Sequence, residues 1–173
     1  LAGLNLVALT DHNTVKNCPA FFKAARKYGI VAIAGMELTT SEDIHIVCIF
    51  EKLQEALMFG EEIDKHRTLI KNKAEIFGRQ QILDEEDNVV GEEEHLLINA
   101  TDISIEDVPQ LVSSFNGVCY PAHIDRESNG IVSVLGGFPK DYDFNCFEIY
   151  DSDLSEKYIK QYYKYCNNIC KLN

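Results

Sequence analysis

With 173 residues, 46% of them hydrophobic and 25% charged, the chain is long enough to bury a core and too apolar to remain disordered. Its net charge of -12, from 28 acidic and 16 basic residues, excludes the broad cationic footprint that stable binding of duplex nucleic acid requires. An anionic substrate held at one point by bound cations remains compatible with that charge. No apolar run reaches the roughly 18 residues of a membrane helix and no leader pattern opens the chain, so a soluble cytoplasmic protein is expected, with no membrane partner.

The first residues, LAG, read as the last turn of a helix closed by Gly3. Residues 4–14, LNLVALTDHNT, follow as an apolar strand that ends abruptly in Asp11, His12 and Asn13, delivering ionisable side chains to its own C-terminal tip. Parallel sheets keep their chemistry at such tips. Asn13 or Thr14 then offers a cap for a helix to about Tyr28, with Phe21, Phe22, Ala25 and Tyr28 on one face. Residues 30–36 and 44–50 are strands, rich in Val, Ile and Ala and without polar alternation, as buried strands are. The first of these runs into Glu37, and the second begins around His45.

From Glu51 to about Lys71 the apolar spacing predicts a helix weakened at Gly60. Residues 72–103 read as an insertion, within which QQILDEEDNVVGEEEHLL (80–97) has two apolar patches around an acidic turn and predicts a surface β-hairpin. Ser104 with Asp107 has the spacing of a capping box for a helix ending near Gly117. Residues 118–122 form a strand ending at His123, residues 125–143 a long loop, and residues 145–150 another strand. Asp153 with Glu156 opens a last amphipathic helix whose core face includes Tyr158, Ile159, Tyr162, Tyr163, Cys166, Ile169 and Cys170. Alternating strands and helices predict an α/β fold with a mostly parallel sheet. The chain stops at Asn173, where such an architecture would supply another strand, so a piece of a larger unit is expected, with exposed strand edges that favour association.

The six cysteines lack zinc-finger spacing. Cys48, Cys119 and Cys146 lie in apolar runs and read as reduced core residues, while Cys166 and Cys170 share a helix face. Of the five histidines, His66 and His95 stand in charged stretches and read as surface residues. His12, His45 and His123 each adjoin a buried strand. Together with Glu37 they form a set of imidazoles and a carboxylate suited to Zn, Mn or Fe.

TDHNT, the Glu of AGMEL, the His of HIVCIF and the His of PAHID occur in the order and approximate spacing of the PHP (polymerase and histidinol phosphatase) domain superfamily, which the chain resembles over essentially its whole length. The closest likeness is to stand-alone bacterial PHP metal-dependent phosphoesterases. This resemblance implies a distorted (β/α)7 barrel, here without its first and last strands, and divalent metal ions at the strand C-termini. It further implies hydrolysis of small phosphorylated substrates, nucleotides or short oligonucleotides, by the full-length parent, with the present chain expected to be impaired or inactive. Glu37 resembles the bridging carboxylate, and His45 and His123 the other ligands of one ion. His12 resembles a ligand of a further ion, with Asp11 orienting the site.

The chain departs from the family in lacking the opening HxH and the closing Asp-x-His motifs, and DSD at 151–153 reads as a helix start. At most one well-formed protein metal site is therefore expected, with His12 left apart from it. Arg126, three residues after His123, is a candidate phosphate clamp because guanidinium grips phosphate in a bidentate manner. Two other functions fit the same residues: a non-catalytic PHP module, and a histidinol-phosphate phosphatase.

Overall fold

The computed structural model describes residues 3–162 and 164. Four strands, β1 (Leu6–Leu9), β2 (Val31–Thr39), β3 (His45–Phe50) and β6 (Gly117–Pro121), form one sheet in the order β1-β2-β3-β6. β1 and β2 are parallel, whereas β3 runs antiparallel to both β2 and β6. The sheet is thus mixed rather than mostly parallel. The reason is a short connection: Thr40 N–H donates to the Ile44 carbonyl at 2.9 Å and Asp43 turns back with φ 65°, a hairpin geometry that cannot reach a parallel partner. The four described strands make an open sheet and not a closed barrel, within a mixed α/β fold of the kind expected.

Three helices cover the sheet, and their limits differ from the periodic reading. α1 (Cys18–Lys27) starts at Cys18 with Pro19 in its first turn, four residues after the expected cap. Asn13 and Thr14 are instead buried against the sheet end. α2 (Leu53–Ile63) stops at Ile63 rather than continuing to Lys71. Gly60 does not mark a weak point in it: a Cβ there would meet Val15 Cγ2 at 2.4 Å, so glycine allows the helix to press against the loop after β1. α4 (Val108–Ser114) has no side-chain cap bond from Asp107, because Ser104 donates its hydroxyl to Glu42 at 2.9 Å. The expected capping box is therefore absent.

The core lies between β2–β3 and these helices. Met36, Leu38, Ile44, Ile46, Cys48 and Phe50 of the sheet meet Ala56, Phe59 and Ile63 of α2 and Val108 and Val112 of α4, all fully or almost fully buried. Phe59 sits between Phe50 and Phe115, ring centres 4.9 and 5.7 Å away. Burying such a side chain stabilises the fold by about 1.5–3 kcal/mol. Cys18 and Cys48 are buried, while Cys119 and Cys146 are half-buried. Burial pushes the Cys119 thiol up to about 12.

α3 (Ala74–Phe77) leads into β4 (Gln81–Leu83) and β5 (Val89–Glu92), which pair only with one another as an antiparallel hairpin with an irregular register after Ile82. Residues 125–143 contain a short helix, α5 (Ile131–Leu135). Residues 145–150, expected as a strand, join no ladder, but two backbone bonds lay them beside β6: Glu148 N–H to Pro121 O at 3.0 Å and Ile124 N–H to Glu148 O at 2.9 Å. A 3-10 turn (Ser152–Leu154) precedes α6 (Ser155–Tyr162). Asp151, not Asp153, caps the 3-10 turn, accepting from Asp153 N–H at 2.9 Å. Tyr163, Cys166, Ile169 and Cys170 lie outside the described residues.

Candidate metal centre

The reversal of β3 decides where the site forms. β1 and β6 bring their C-terminal ends to one edge of the sheet, and β3 brings its N-terminal end there. His12 extends β1 and bridges Glu37 in β2, fixed by Glu37 N–H to Asp11 O at 3.0 Å and Asn13 N–H to Glu37 O at 3.1 Å. His45 opens β3 opposite Thr39. His123 follows β6, and Ala122 N–H donates to His45 O at 3.0 Å. His123 itself takes φ +30°, a left-handed conformation costly for any side chain with a Cβ.

Four side chains converge as a result. Glu37 Oε1 lies 3.0 Å from His45 Nδ1 and 3.3 Å from His123 Nε2, and these two ring nitrogens are 3.2 Å apart. Glu37 Oε2 lies 3.8 Å from His12 Nε2. The His12 and His45 ring centres are 5.0 Å apart, those of His45 and His123 5.2 Å. His12 is therefore not set apart from the others. His12, Glu37 and His45 each offer an atom within 4.8 Å of the other two.

Electrostatics favour the ligand forms. Burial opposes the ionisation of Glu37, yet hydrogen bonds from His123 and His45 and the nearby His12 outweigh it and hold the carboxyl well below its ordinary range. Burial pushes the His12 imidazole down, against the pull of Glu37, and so favours the neutral form that binds metals. The Nδ1 atoms of His12 and His123 are buried without a hydrogen-bond partner. Three imidazoles, one anionic carboxylate and unsatisfied ring nitrogens fit a divalent ion of the Zn, Mn or Fe type.

The other expected residues have different settings. Asp11 accepts from Asn17 Nδ2 at 3.1 Å and borders a cavity beside His12. Arg126 is exposed, its guanidinium 5.3 Å above the Tyr150 ring. His66 and His95 are partly exposed and engaged elsewhere: His66 Nδ1 is 2.7 Å from Asp102, and His95 stands beside Glu93.

Four further residues, Asn13, Glu148, Lys16 and Glu93, shape the site in ways that the sequence reading did not assign. Asn13, 1% exposed, accepts from Thr39 N–H at 2.8 Å and donates to the Leu97 and Asn99 carbonyls, tying the β1 tip to β2 and to the insertion. Glu148 is half-buried. Burial pushes its carboxyl up, the His123 imidazole pulls it down and Glu37 pushes it up, which puts it in the electrostatic reach of the centre. A carboxylate inside the apolar run CFEIY was the available signal. Lys16 pairs with Glu93, a residue 8% exposed that also faces Arg67 at 3.5 Å. Burial opposes ionisation of Glu93, but the Lys16 and Arg67 interactions bring it down to about 2.

Beside His12 lies a cavity of about 260 Å³. Its walls come from both the sheet tip (Asp11, His12, Lys16) and the insertion (Phe77, Gln81, Ile82). A larger depression of about 700 Å³ between α4 and residues 141–143 carries acidic side chains and none of the four converging residues.

The model of the PHP domain family matches residues 2–170, and the chain belongs to that family. Among solved structures, the fold is similar to a protein of Bifidobacterium adolescentis described as a metal-dependent phosphoesterase. The TM-score is 0.60 at 12% identity over 98% of this chain and 76% of that one. It is also similar to the lesion-specific endonuclease Q of Pyrococcus furiosus (TM-score 0.53, 19% identity, 98% of this chain and 39% of that one). A third similarity is to endonuclease Q in complex with a 27-mer duplex carrying an abasic lesion (TM-score 0.55, 18% identity, 99% and 40%). The chain thus spans about two fifths of the endonuclease Q chains it matches. No curated protein matches the sequence.

Proposed function

We propose that this chain is a metal-dependent phosphoesterase domain acting on nucleotides or short oligonucleotides, with Glu37, His45, His123 and His12 as the ligand set. The observation that carries this reading is the convergence of three imidazoles on both oxygens of one half-buried carboxylate. Family membership supports it. A divalent ion held there would supply Lewis acidity toward the phosphoryl oxygens and the attacking water. Glu37 contributes a negative charge already present at neutral pH. Asn13 and the β1–β2 bridge hold His12 and Glu37 in fixed register, so little reorganisation is needed when an ion binds.

The cavity beside His12 receives the part of the substrate beyond the reacting phosphate. Its apolar Phe77 and Ile82 suit a heterocyclic base, and the Gln81 amide offers both a donor and an acceptor. Arg126 is a candidate phosphate contact, for which it would leave Tyr150. One tightly bound ion per chain is expected, centred on Glu37.

The test is phosphate release from mononucleotides and short oligonucleotides by purified protein, before and after chelation, with metal content measured on the same sample. Expected are loss of activity on chelation, recovery on adding Mn or Zn, and failure of Glu37→Gln to retain metal. Hydrolysis that persists unchanged without metal sinks the reading, and two or three tightly bound ions per chain sink the single-site part of it.

A further inference from the structure

The β4–β5 hairpin is attached to the rest of the molecule in an unusual way. It pairs with no other strand among the described residues, and its outward residues Val89 and Val90 are 50% and 63% exposed. A lone two-stranded hairpin is marginal in water, so its position depends on what ties it down. The ties are polar. Asn17, the residue before α1, donates to Gln81 O at 3.2 Å and accepts from Leu83 N–H at 3.0 Å. Farther out, Lys23 pairs with Glu85 at 3.1 Å, and Lys27 pairs with Glu86. Lys23 and Lys27 are four apart on α1 and so share a face, which aims both cations at the hairpin tip. The charge pattern is complementary throughout: residues 84–94 contain seven acidic side chains, while the last turn of α1 carries Arg26 and Lys27.

The same hairpin supplies Gln81 and Ile82 to the cavity beside His12. We propose that Lys23 and Lys27, through Glu85 and Glu86, latch the hairpin over this cavity and thereby restrict its occupant to a small phosphoester of about single-nucleotide size. The latch acts in two ways. It closes the cavity wall on the insertion side, and it holds on that side the acidic run 92–94, of which Glu93 lines the cavity, so that a continuous phosphate backbone is repelled. Exposed ion pairs are individually weak and are screened by salt, so a latch of this kind releases as ionic strength rises. This inference rests on the phosphoesterase reading for its substrate, but not for the latch itself.

Leu83 N–H reports docking directly, because its partner Asn17 Oδ1 lies across the junction and not within the hairpin. Residue-resolved hydrogen exchange is therefore measured on wild type, on Lys23→Glu/Lys27→Glu, and on the charge swap that adds Glu85→Lys/Glu86→Lys. Leu83 protection is expected to fall about 3- to 10-fold in wild type between about 0.02 M and about 0.5 M salt. It should be equally low in the double variant at low salt and return in the swap. In parallel, kcat/KM for a mononucleotide is compared with that for a single strand of about 20 nucleotides. The preference for the mononucleotide is expected to shrink at least about fivefold in the double variant and recover in the swap.

Leu83 protection indifferent to salt and to both variants overturns the latch. Protection that responds while the substrate preference stays fixed overturns its selective role. A responsive Leu83 in a protein that hydrolyses neither substrate upholds the latch and removes the phosphoesterase reading.

Discussion

The edge of the sheet and the inserted hairpin meet at one cavity but are held by opposite physics. Around the candidate centre, β2 and β3 are fixed by a continuous ladder and by the fully or almost fully buried side chains of Met36, Leu38, Ile46, Cys48 and Phe50. The hairpin is fixed by asparagine bridges and lysine–carboxylate pairs. Apolar burial gives a site whose geometry is insensitive to salt and to single surface changes. Charge pairing gives a wall whose position responds to both. The molecule thus places the proposed ligands on its most rigid part and the wall of the proposed substrate cavity on its least rigid one.

The sharpest way to break the rigid side is Glu37→Ala, which removes the carboxylate that all three histidines approach. A loss of at least about 10³-fold in phosphate release is expected, with metal content falling to background by elemental analysis. Ile46→Ala, in the centre of β3 and fully buried, should cost about 2–5 kcal/mol in denaturant unfolding, with a penalty unchanged by salt. Between the two regions stands Glu93. Its carboxyl ionises at about 2 in the folded protein, against about 4.5 in the unfolded chain. A depressed carboxyl contributes stability that is fully present above about pH 4.5 and is lost as pH falls toward 2. Glu93→Gln should flatten that acid limb by roughly 1–2 kcal/mol, reduced by solvent at Lys16, as measured by unfolding at pH 3 and pH 7. The smallest effect belongs to the hairpin: Lys23→Ala should leave the Tm within error while lowering the salt sensitivity of Leu83 exchange.

The rigid side was also the legible one. Apolar runs located β1, β2, β3 and β6, and the ionisable residues abutting them are those that meet at the centre. The direction of β3 was not legible, because a strand buried on both faces carries no directional pattern, and a three-residue turn at 41–43 decides it. The run CFEIY has strand composition, yet only two backbone bonds hold it beside β6. The sequence sets His12 apart only by comparison with the HxH and Asp-x-His motifs that it lacks. In space, its bridge to Glu37 puts it in the cluster regardless. On the hairpin side, Glu93 sits in a run of three glutamates, and nothing in EEE distinguishes the buried one from its exposed neighbours. Asn13 read as a helix cap because the same side-chain chemistry that caps a helix also ties a strand end.

The φ of His123 and its place after β6 have a consequence for biogenesis. Glu37 and His123 are 86 positions apart, and His45 and His123 are 78 apart. A growing polypeptide presents His12, Glu37 and His45 long before it presents His123, so three of the proposed ligands are available while the fourth is still unmade. Such distant contacts form late in folding. On the proposed ligand set, an ion would be bound in full only by a chain that has docked β6, and tight metal retention would report completed folding.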